Sequence, residues 1–367
     1  TATGPSFLTS AEEVVNEACK NNYLLRRFLR GQGPSETVQG GSSIKDTIMF
    51  DEESTFQYYE PNQTFTWENP QVVENWEIQW RFCVDHMAYT DAEVELNVGT
   101  GMSRAARHTA YKRLKRIKEQ RLWTSILNGM EDALFSIPSN GAMEATTGTK
   151  PYSIPAFLNE ETNGLYSGFS TVQGLAPATY SKWVPQQKTY GSTDVDNADN
   201  IISKMDELFL DVQFTPPPSH QEYFDDPSLN AMFIACSKAG PRIYTQLLRS
   251  SQDTFVTASR QDPAYQSPKY AGIDLVHAPK LDEYAGYTGG DNTELGATKQ
   301  GPRYYFINGN YMKFVFHTTR YMYQHPAMRH PNQPFTTIVP VDSWYNFVCR
   351  SRQRQGILSP DGTPYTA

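Results

Sequence analysis

The chain has 367 residues and a formal net charge of −8 at pH 7, so it can bury a sizeable core and strong global attraction to nucleic acid is not expected. Charged residues make up only 20% of it, which excludes a disordered acidic chain. The four cysteines form no CxxC pair and no apolar run approaches the length of a membrane span. We therefore expect reduced thiols, synthesis in the cytoplasm and no membrane-spanning helix.

The N-terminal region is predicted to be an arm held between two joints. Residues 1–9 look extended, and a helix is predicted from Ser10 to Arg30, with Ser10 as its N-cap. Acidic residues in the first turn and arginines in the last suit the helix dipole. The glycines of residues 31–34 and 40–43 make the two joints, so we expect the arm to reach onto another surface.

The segment from Ile44 to Asn97 is predicted to be β-structure. A turn at residues 60–63 is expected to join strands at 47–59 and 64–67 into a long two-stranded loop. Since an isolated hairpin is only marginally stable in water, this loop should dock on another surface. The clearest alternation predicts one strand with a single buried apolar face, made by Trp76, Ile78, Trp80, Phe82 and Val84.

A long helix is predicted from Ser103 to Phe135, where apolar residues recur at spacings of three and four. At 1.5 Å per residue it would be about 50 Å long. Its first part, to Arg121, carries eight basic residues and one acid, whereas residues 44–97 carry twelve acids and two bases. We predict charge pairing between the acidic β-arm and the basic helix, within one chain or between copies.

Shorter elements follow the long helix. Residues 137–192, rich in Gly, Pro, Thr and Ser, should form loops and short strands. Residues 304–307 and 312–317 are expected to form a hairpin across 308–310. The remaining predicted helices and strands lie at 194–212 (helix), 231–236 (strand), 241–249 (helix), 273–277 (strand), 335–339 (strand) and 344–350 (strand).

Three motifs could carry chemistry, but their contexts argue against it. Gly99-Thr-Gly101 lacks the third glycine of a dinucleotide loop, which favours a plain strand-to-helix turn. Residues 42–45 fit Ser-x-x-Lys, but they lie in a glycine-rich joint and no Lys-Thr-Gly follows. His325 and His330 are flanked by prolines in a loop, which indicates polar loop histidines rather than metal ligands. We predict no catalytic, cofactor or metal site.

Two other functions remain open from the residues alone. One is a hydrolase-type enzyme with a site in residues 137–192 or 325–330. The other is a nucleic-acid-binding module that uses the basic helix at residues 103–121, whose cations would contact phosphates. Against it, the basic residues wrap more than one face of the helix.

The order of these predicted elements along the chain resembles that of the major capsid protein of tailed double-stranded DNA bacteriophages, which has the Hong Kong 97-type fold. The resemblance covers essentially the whole chain. It rests on an extended loop "GGSSIKDTIMFDEESTFQYYEPNQTFTW", a spine helix "SRAARHTAYKRLKRIKEQRLW", the segments "LNAMFIACSKAGPRIYTQLLRSS" and "YAGIDLVHAP", and the returning segment "SWYNFVCRSRQRQGIL". No single motif is diagnostic, whereas the ordered set is.

The resemblance implies an α+β fold and a structural, non-enzymatic function. Copies would form hexamers and pentamers of an icosahedral head shell, located in the virion and assembled in the cytoplasm of the bacterial host. Implied partners are further copies, portal, scaffolding and decoration proteins, and packaged DNA held by weak non-specific contact. The implied domains are an N-terminal arm (1–39), an extended loop (40–95), a peripheral domain with the spine helix 103–135 (96–192 and 318–367) and an axial domain (193–317).

Inter-subunit contacts are expected where acid meets base. Some members of the family cross-link a loop lysine to a neighbour's asparagine, but the loop's only lysine, Lys45, lies at its base, which argues against a cross-link here. The family's long N-terminal scaffolding segment is not present, so we expect a separate scaffold protein or removal of that segment. The predicted contact residues are Asp51, Glu52, Glu53, Glu60, Arg104, Arg107, Arg113, Arg116 and Arg121.

Overall fold

The computed structural model describes residues 23–30, 35–50, 58–61, 63–64, 73–98, 104–166, 168–191, 200–213, 232–250, 268–284 and 302–360. The α-helices in these ranges are α1 (Tyr23–Arg30), α2 (Asp91–Val98), α3 (Arg104–Leu134), α4 (Asn140–Met143), α5 (Ile154–Phe157), α6 (Ile201–Val212), α7 (Ala239–Ser250) and α8 (Pro279–Tyr284), and 3-10 helices lie at Thr162–Gly164 and Ser181–Trp183. The strands are β1 (Ser35–Val38), β2 (Ser43–Met49), β3 (Val73–Gln79), β4 (Arg81–Thr90), β5 (Gln186–Tyr190), β6 (Met232–Cys236), β7 (Lys269–Tyr270), β8 (Ile273–His277), β9 (Tyr304–Asn308), β10 (Met312–His317), β11 (Tyr323–Gln324), β12 (Met328–His330), β13 (Gln333–Cys349) and β14 (Gly356–Pro360).

The first sheet is built around β13, a single strand of 17 residues. β4 pairs with one edge of it, antiparallel, over Thr336–Tyr345. β12, β11 and β10 pair in turn with the other edge, and β1 joins β10 in parallel. The prediction of two separate strands here is wrong, because the ladder continues through Pro340, whose carbonyl accepts a hydrogen bond from the His325 N–H at 2.9 Å.

The second sheet has the strand order β5-β14-β9-β6-β8-β7. Every residue of β6 is buried, and its side chains alternate between two apolar clusters. Met232, Ile234 and Cys236 pack with α6 and α7, whereas Phe233 and Ala235 pack with the core of the first sheet. Coverage of both faces explains why the strand predicted at 231–236 is apolar without a polar face.

The predicted hairpin between residues 304–307 and 312–317 is wrong. The turn itself exists, since the N–H of Tyr311 donates to the carbonyl of Asn308 at 3.2 Å. However, β9 pairs with β6 and β14 in the second sheet, while β10 pairs with β1 and β13 in the first. The turn connects a strand of the second sheet to a strand of the first sheet. Both β9 and β10 therefore pair with strands that are distant in sequence and not with each other.

The base of the extended loop is a ladder of β2 and β3, paired antiparallel from Ser43 and Gln79 to Met49 and Val73. The predicted strands at 47–59 and 64–67 lie largely outside the described residues, and β2 pairs with β3 instead. The predicted turn is present, because the Gln63 N–H donates to the Glu60 carbonyl at 3.0 Å. At the joint, Gly40 and Gly41 have φ of 72° and 88°, a region that glycine enters most readily.

One side-chain assignment in the predicted strand at residues 76–84 is wrong. Trp76, Ile78 and Trp80 are buried as expected, but Phe82 and Val84 are 64% and 72% exposed. β3 ends at Gln79, and β4 begins at Arg81 in another sheet. Since the chain changes sheets here, odd-numbered residues of β4 are the ones turned inward.

The long helix is confirmed as α3, and its burial is uneven. The second half contributes Leu122, Ile126, Met130 and Leu134 to the core, whereas in the first half Leu114 is the buried apolar residue among those described. α1 confirms the last part of the helix predicted at 10–30; residues 10–22 lie outside the described ranges. Its buried Phe28 contacts the ring of Phe347, with ring centroids 5.3 Å apart.

Helix α2 corrects the prediction of β-structure up to Asn97, and therefore also of a strand before the Gly-x-Gly motif. The Glu93 N–H donates to the Thr90 hydroxyl at 3.2 Å, and the Thr90 N–H donates to the Glu93 carboxylate at 3.3 Å. This reciprocal capping box begins the helix. Helix α6, predicted at 194–212, begins at Ile201, where Asn200 Oδ1 accepts a hydrogen bond from the Ser203 N–H at 2.7 Å.

Two buried arginines hold the loops of residues 137–192 in place. Arg81, 2% exposed, donates to the carbonyls of Met143, Ala145 and Gly148 at 2.5–2.8 Å. Arg352, fully buried, donates to three further carbonyls, in residues 157, 164 and 183, at 2.6–2.9 Å. Burial lowers the pKa of Arg352 to about 10, and the carbonyl oxygens satisfy its charged form.

Candidate inter-subunit surfaces

Of the predicted acidic contact residues, Asp51, Glu52 and Glu53 lie outside the described residues. Glu60 is at the exposed tip, where its N–H donates to the Gln63 side-chain oxygen at 3.1 Å. Tyr58, next to it, is 89% exposed. A tip this rich in exposed aromatic surface is typical of a segment that contacts a partner.

The predicted basic contact residues lie on α3. Arg104 and Arg107 are in its first two turns, and their side chains are outside the described part of the structure. The side chains of Arg113, Arg116 and Arg121 are exposed. Among the described residues, neither Arg116 nor Arg121 forms an ion pair. The pairing of these arginines with the loop acids stays a prediction.

A different acid–base pair joins the two charged segments within the chain. Lys118 Nζ lies 3.2 and 3.3 Å from the two carboxylate oxygens of Glu93, so the acidic segment meets the basic helix at the start of α2. Nearby, the hydroxyls of Tyr89 and Tyr111 are 3.1 Å apart. These contacts fix the first half of α3 against α2 and β4, while the side chains of Arg113, Arg116 and Arg121 are exposed.

The base of the loop docks within the same chain. Phe50 stacks on Tyr180, with ring centroids 4.6 Å apart. Lys45 Nζ forms an ion pair with Glu77 at 3.0 Å across the β2–β3 ladder. Where the described ladder ends, the paired residues Met49 and Val73 are 59% and 41% exposed. The base of the loop therefore contacts the rest of the same chain. The end of the described ladder at Met49 and Val73 presents exposed apolar surface.

The first sheet has an exposed aromatic face that the sequence pattern did not reveal. We call it the outer face; α3 packs against the opposite, inner face. The rings of Phe82 and Trp344 meet edge to face at 4.9 Å. The Arg320 guanidinium lies 4.9 Å from the ring centroid of Tyr323 and 5.5 Å from that of Trp344. The outer face consists of Phe82, Val84, Arg320, Tyr323, Asp342 and Trp344.

The polar centre of the outer face includes His325, one of the two histidines that the sequence predicts in a loop. His325 Nε2 lies 3.0 Å from Asp342 Oδ1, and an Arg320 nitrogen lies 3.6 Å from the other carboxylate oxygen. For His330 the loop prediction is wrong, because His330 pairs with β13 as the last residue of β12. Its Nδ1 accepts a hydrogen bond from the Asn332 N–H at 3.1 Å. Within the described ranges, no three His, Cys, Asp or Glu side chains cluster as metal ligands.

The loops at 137–192 use their carboxylates structurally. The segment contains no His or Cys. Glu144 accepts hydrogen bonds from the Thr171 hydroxyl at 2.9 Å and the Gly174 N–H at 2.8 Å. Glu160 forms a buried two-point ion pair with Arg303, with both distances 2.9 Å. These contacts stabilise the loops and do not assemble a nucleophile with a base.

Comparison with known proteins relates the chain to phage capsids through structure. No protein-family model and no curated protein matches it. A chain of the cyanophage A-1(L) capsid asymmetric unit is similar with a TM-score of 0.52 and 10% identity, over 98% of this chain and 99% of that one. A chain of the capsid of Myoviridae phage XM1 gives a TM-score of 0.49 and 11% identity, over 95% of both chains. A chain of the bacteriophage PhiM1 mature capsid gives 0.47 and 15%, over 96% of this chain and 93% of that one.

The likeness to the cyanophage chain shows the fold. The chain has the Hong Kong 97-type capsid fold, with the α+β content and the long spine helix that the order of its sequence elements predicts. In the described part of the chain, no helix combines the length and apolar character needed to cross a membrane.

Proposed function

We propose that the chain is the major capsid subunit of a tailed bacteriophage, a structural protein without enzymatic activity that assembles into an icosahedral head shell. The observation that carries the proposal is the likeness of fold to a phage capsid chain over 98% of this chain. A fold by itself can serve several functions, so the exposed surfaces must also suit assembly.

The exposed surfaces support assembly from identical copies. Aromatic and arginine side chains, which are enriched at protein interfaces, dominate the outer face. The basic half of α3 and the acidic loop carry opposite charges on one chain, so copies can associate without a second kind of subunit. Closed rings of six and five copies would use these surfaces repeatedly.

The proposal is tested by the size of the purified protein. Sedimentation velocity and negative-stain imaging, over a range of salt and protein concentrations, should detect rings of five or six copies or megadalton shells. Coexpression with a candidate scaffolding protein from the same genome extends the test to assembly that needs a scaffold. A monodisperse monomer under all these conditions, with and without that protein, would refute the proposal.

The loop-to-helix pairing is tested by a charge swap. Lysine at Asp51, Glu52 and Glu53 should block assembly while the subunit stays folded, because like charges would then meet across the interface. Glutamate at Arg113, Arg116 and Arg121 should block it as well. Combining both sets restores opposite charges and should recover shells. Normal shells from the lysine variant alone would show that this pairing is not the contact.

Portal, scaffolding and decoration proteins are proposed as further partners, together with packaged DNA, in a virion assembled in the cytoplasm of the bacterial host. The net charge of −8 suits a shell that contacts DNA weakly. Binding to a short DNA duplex, measured from low to physiological salt, separates this from a nucleic-acid-binding module. Tight binding with a steep salt dependence, lost when Arg113, Arg116 and Arg121 become glutamine, would favour the module instead.

A further inference from the structure

A cleft of about 300 Å³ lies between α3 and the inner face of the first sheet. Ile126 and Met130 of the helix supply apolar surface, and Cys83, Asp85 and Ser343 of the sheet supply polar groups. The volume is at the lower end of the range for small-molecule pockets, which combine apolar walls with a few polar groups. The cleft lies within one subunit, so its chemistry does not depend on the proposed assembly.

Two features of its walls are not explained by packing. A Cβ atom added at Gly129, inside α3, would meet nothing within 4 Å, so no neighbour requires glycine at this helix position, which alanine would suit better. Met322, which also lines the cleft, has a φ of 47°, in the left-handed region that is unfavourable for such a residue. Backbone strain of this kind concentrates at ligand-binding sites.

One polar group in the cleft lacks a partner. Ser343 is 1% exposed, and its hydroxyl has no hydrogen-bond partner among the described residues. Buried hydroxyls are nearly always hydrogen-bonded, because an unpaired one is unfavourable. A ligand in the cleft that offers a donor would satisfy it.

The electrostatics of the cleft favour a cation. Asp85 Oδ1 accepts a hydrogen bond from the neighbouring His86 N–H at 2.7 Å, and no cationic side chain of the described residues forms an ion pair with this carboxylate. Asp342, which also lines the cleft, is already paired, with His325 at 3.0 Å and with Arg320 at 3.6 Å. Burial, with smaller effects from the Asp342 and Asp85 charges, raises the pKa of Cys83 to about 11, so its thiol adds no negative charge at neutral pH.

We propose that this cleft binds a small alkylammonium ion. The alkyl chain packs against Ile126 and Met130, and the ammonium group donates hydrogen bonds to the Asp85 carboxylate and the Ser343 hydroxyl. The open position at Gly129 admits the ligand from the side of the helix.

The test measures binding of n-pentylammonium to the full-length protein by calorimetry and ligand-observed NMR. 1-Pentanol and pentanoate have nearly the same shape but are neutral and negative. We expect saturable binding of the amine, about tenfold tighter than that of the alcohol, with no binding of the carboxylate. Amine binding that does not saturate, or that equals alcohol binding, would overturn the proposal.

Two variants locate the site. Asp85→Asn should weaken amine binding to the level of the alcohol and leave alcohol binding unchanged, whereas Glu95→Gln, an exposed change on α2, should alter neither. Gly129→Leu fills the cleft and should abolish binding of both, with folding checked by circular dichroism. Amine affinity that is unchanged in Asp85→Asn would contradict the proposal even if the glycine variant failed to fold.

Discussion

The two faces of β4 differ in a way that runs against residue polarity. The inner face buries Arg81, whereas the outer face exposes Phe82 and Val84 to solvent. Arg81 can be buried because three loop carbonyls accept its hydrogen bonds. No described element of the same chain covers Phe82. Burial in one chain therefore depends on what lies opposite each face, and the proposed assembly would cover the exposed aromatic residues with another chain.

Removing the buried charge of Arg81 should have the largest effect on the stability of the subunit. Arg81→Met keeps the apolar stem but removes the side-chain donor to the carbonyls of Met143 and Gly148, while the Ala145 carbonyl keeps the Gly148 N–H at 2.9 Å. An unsatisfied buried carbonyl costs about 1–3 kcal/mol, so the free energy of unfolding should fall by at least about 2 kcal/mol. Urea denaturation followed by circular dichroism measures the change. Arg329→Met, which removes an exposed ion pair with Asp91, should cost at most about 1 kcal/mol, and equal losses in both would contradict the account.

The helix that covers the inner face contains a second buried charged group, whose effect depends on pH. Glu131 is 5% exposed and accepts a hydrogen bond from the Leu25 N–H at 2.6 Å. Burial, opposed in part by backbone N–H groups of α1, raises its pKa from 4.5 to about 7. The folded state therefore keeps a proton that the unfolded state releases. Stability from this group is present below about pH 4.5 and is lost as the pH rises through 7.

Glu131→Gln should remove this loss. We compare the free energy of unfolding of the variant with that of the unmodified protein. The difference should rise in favour of the variant by about 2 kcal/mol between pH 5 and pH 8, since each unit of pKa shift is worth about 1.4 kcal/mol. Denaturation at several pH values measures it. Glu119→Gln, on the exposed part of α3, should give no such trend. A difference that is flat from pH 5 to pH 8 would show that the carboxylate is solvated.

Ser343 tests whether the inner face tolerates an unpaired polar group. Ser343→Ala removes the buried hydroxyl that has no partner in the described chain, so stability should rise by up to about 1 kcal/mol. Thr171→Val, which removes a hydroxyl bonded to Glu144 at 2.9 Å, should lower it by about 1 kcal/mol. Thermal unfolding measures both. A clear loss of stability in Ser343→Ala would mean that this hydroxyl is bound in solution.

The smallest expected effect on subunit stability comes from the outer face. Phe82→Asp with Val84→Asp should change the free energy of unfolding by at most about 0.5–1 kcal/mol, because both residues are already exposed. Assembly should nevertheless be lost, as two carboxylates would enter an apolar interface. Sedimentation and electron microscopy measure it. Phe82→Leu with Val84→Ile keeps the surface apolar and should assemble; shells from the aspartate variant would exclude this face from the contacts.

The sequence was sufficient where a pattern depends on local spacing. The apolar repeat predicts α3 nearly to its ends, and the continuous apolar run predicts β6, since both patterns persist through the whole element. The charge of Arg113, Arg116 and Arg121 also predicts their exposure, because a run of bases cannot be buried without partners. The fold followed from the order of such elements.

The patterns failed where a feature depends on which sheet a strand joins. The alternation at residues 76–84 is unbroken in the sequence, yet the inward residues switch at Trp80 because the chain changes sheets. The turn after Asn308 is the same whether it closes a hairpin or connects two sheets. Helix α2 could have been found, because Thr90 and Glu93 form the Thr-x-x-Glu pattern of a capping box. The outer face could not be predicted from the sequence, because Phe82 and Trp344 lie far apart in the chain and meet only in the folded sheet.

The 17 residues of β13 have a mechanical consequence. Extended at about 3.3 Å per residue, the strand runs about 56 Å, somewhat longer than α3. A load applied along it is carried by the covalent backbone, and its ladders with β4 and β10 share that load in shear across many hydrogen bonds at once. The strand therefore carries tension along its length. A sheet built around it should resist stretching along the strand far better than bending, a property that would suit the wall of the proposed shell.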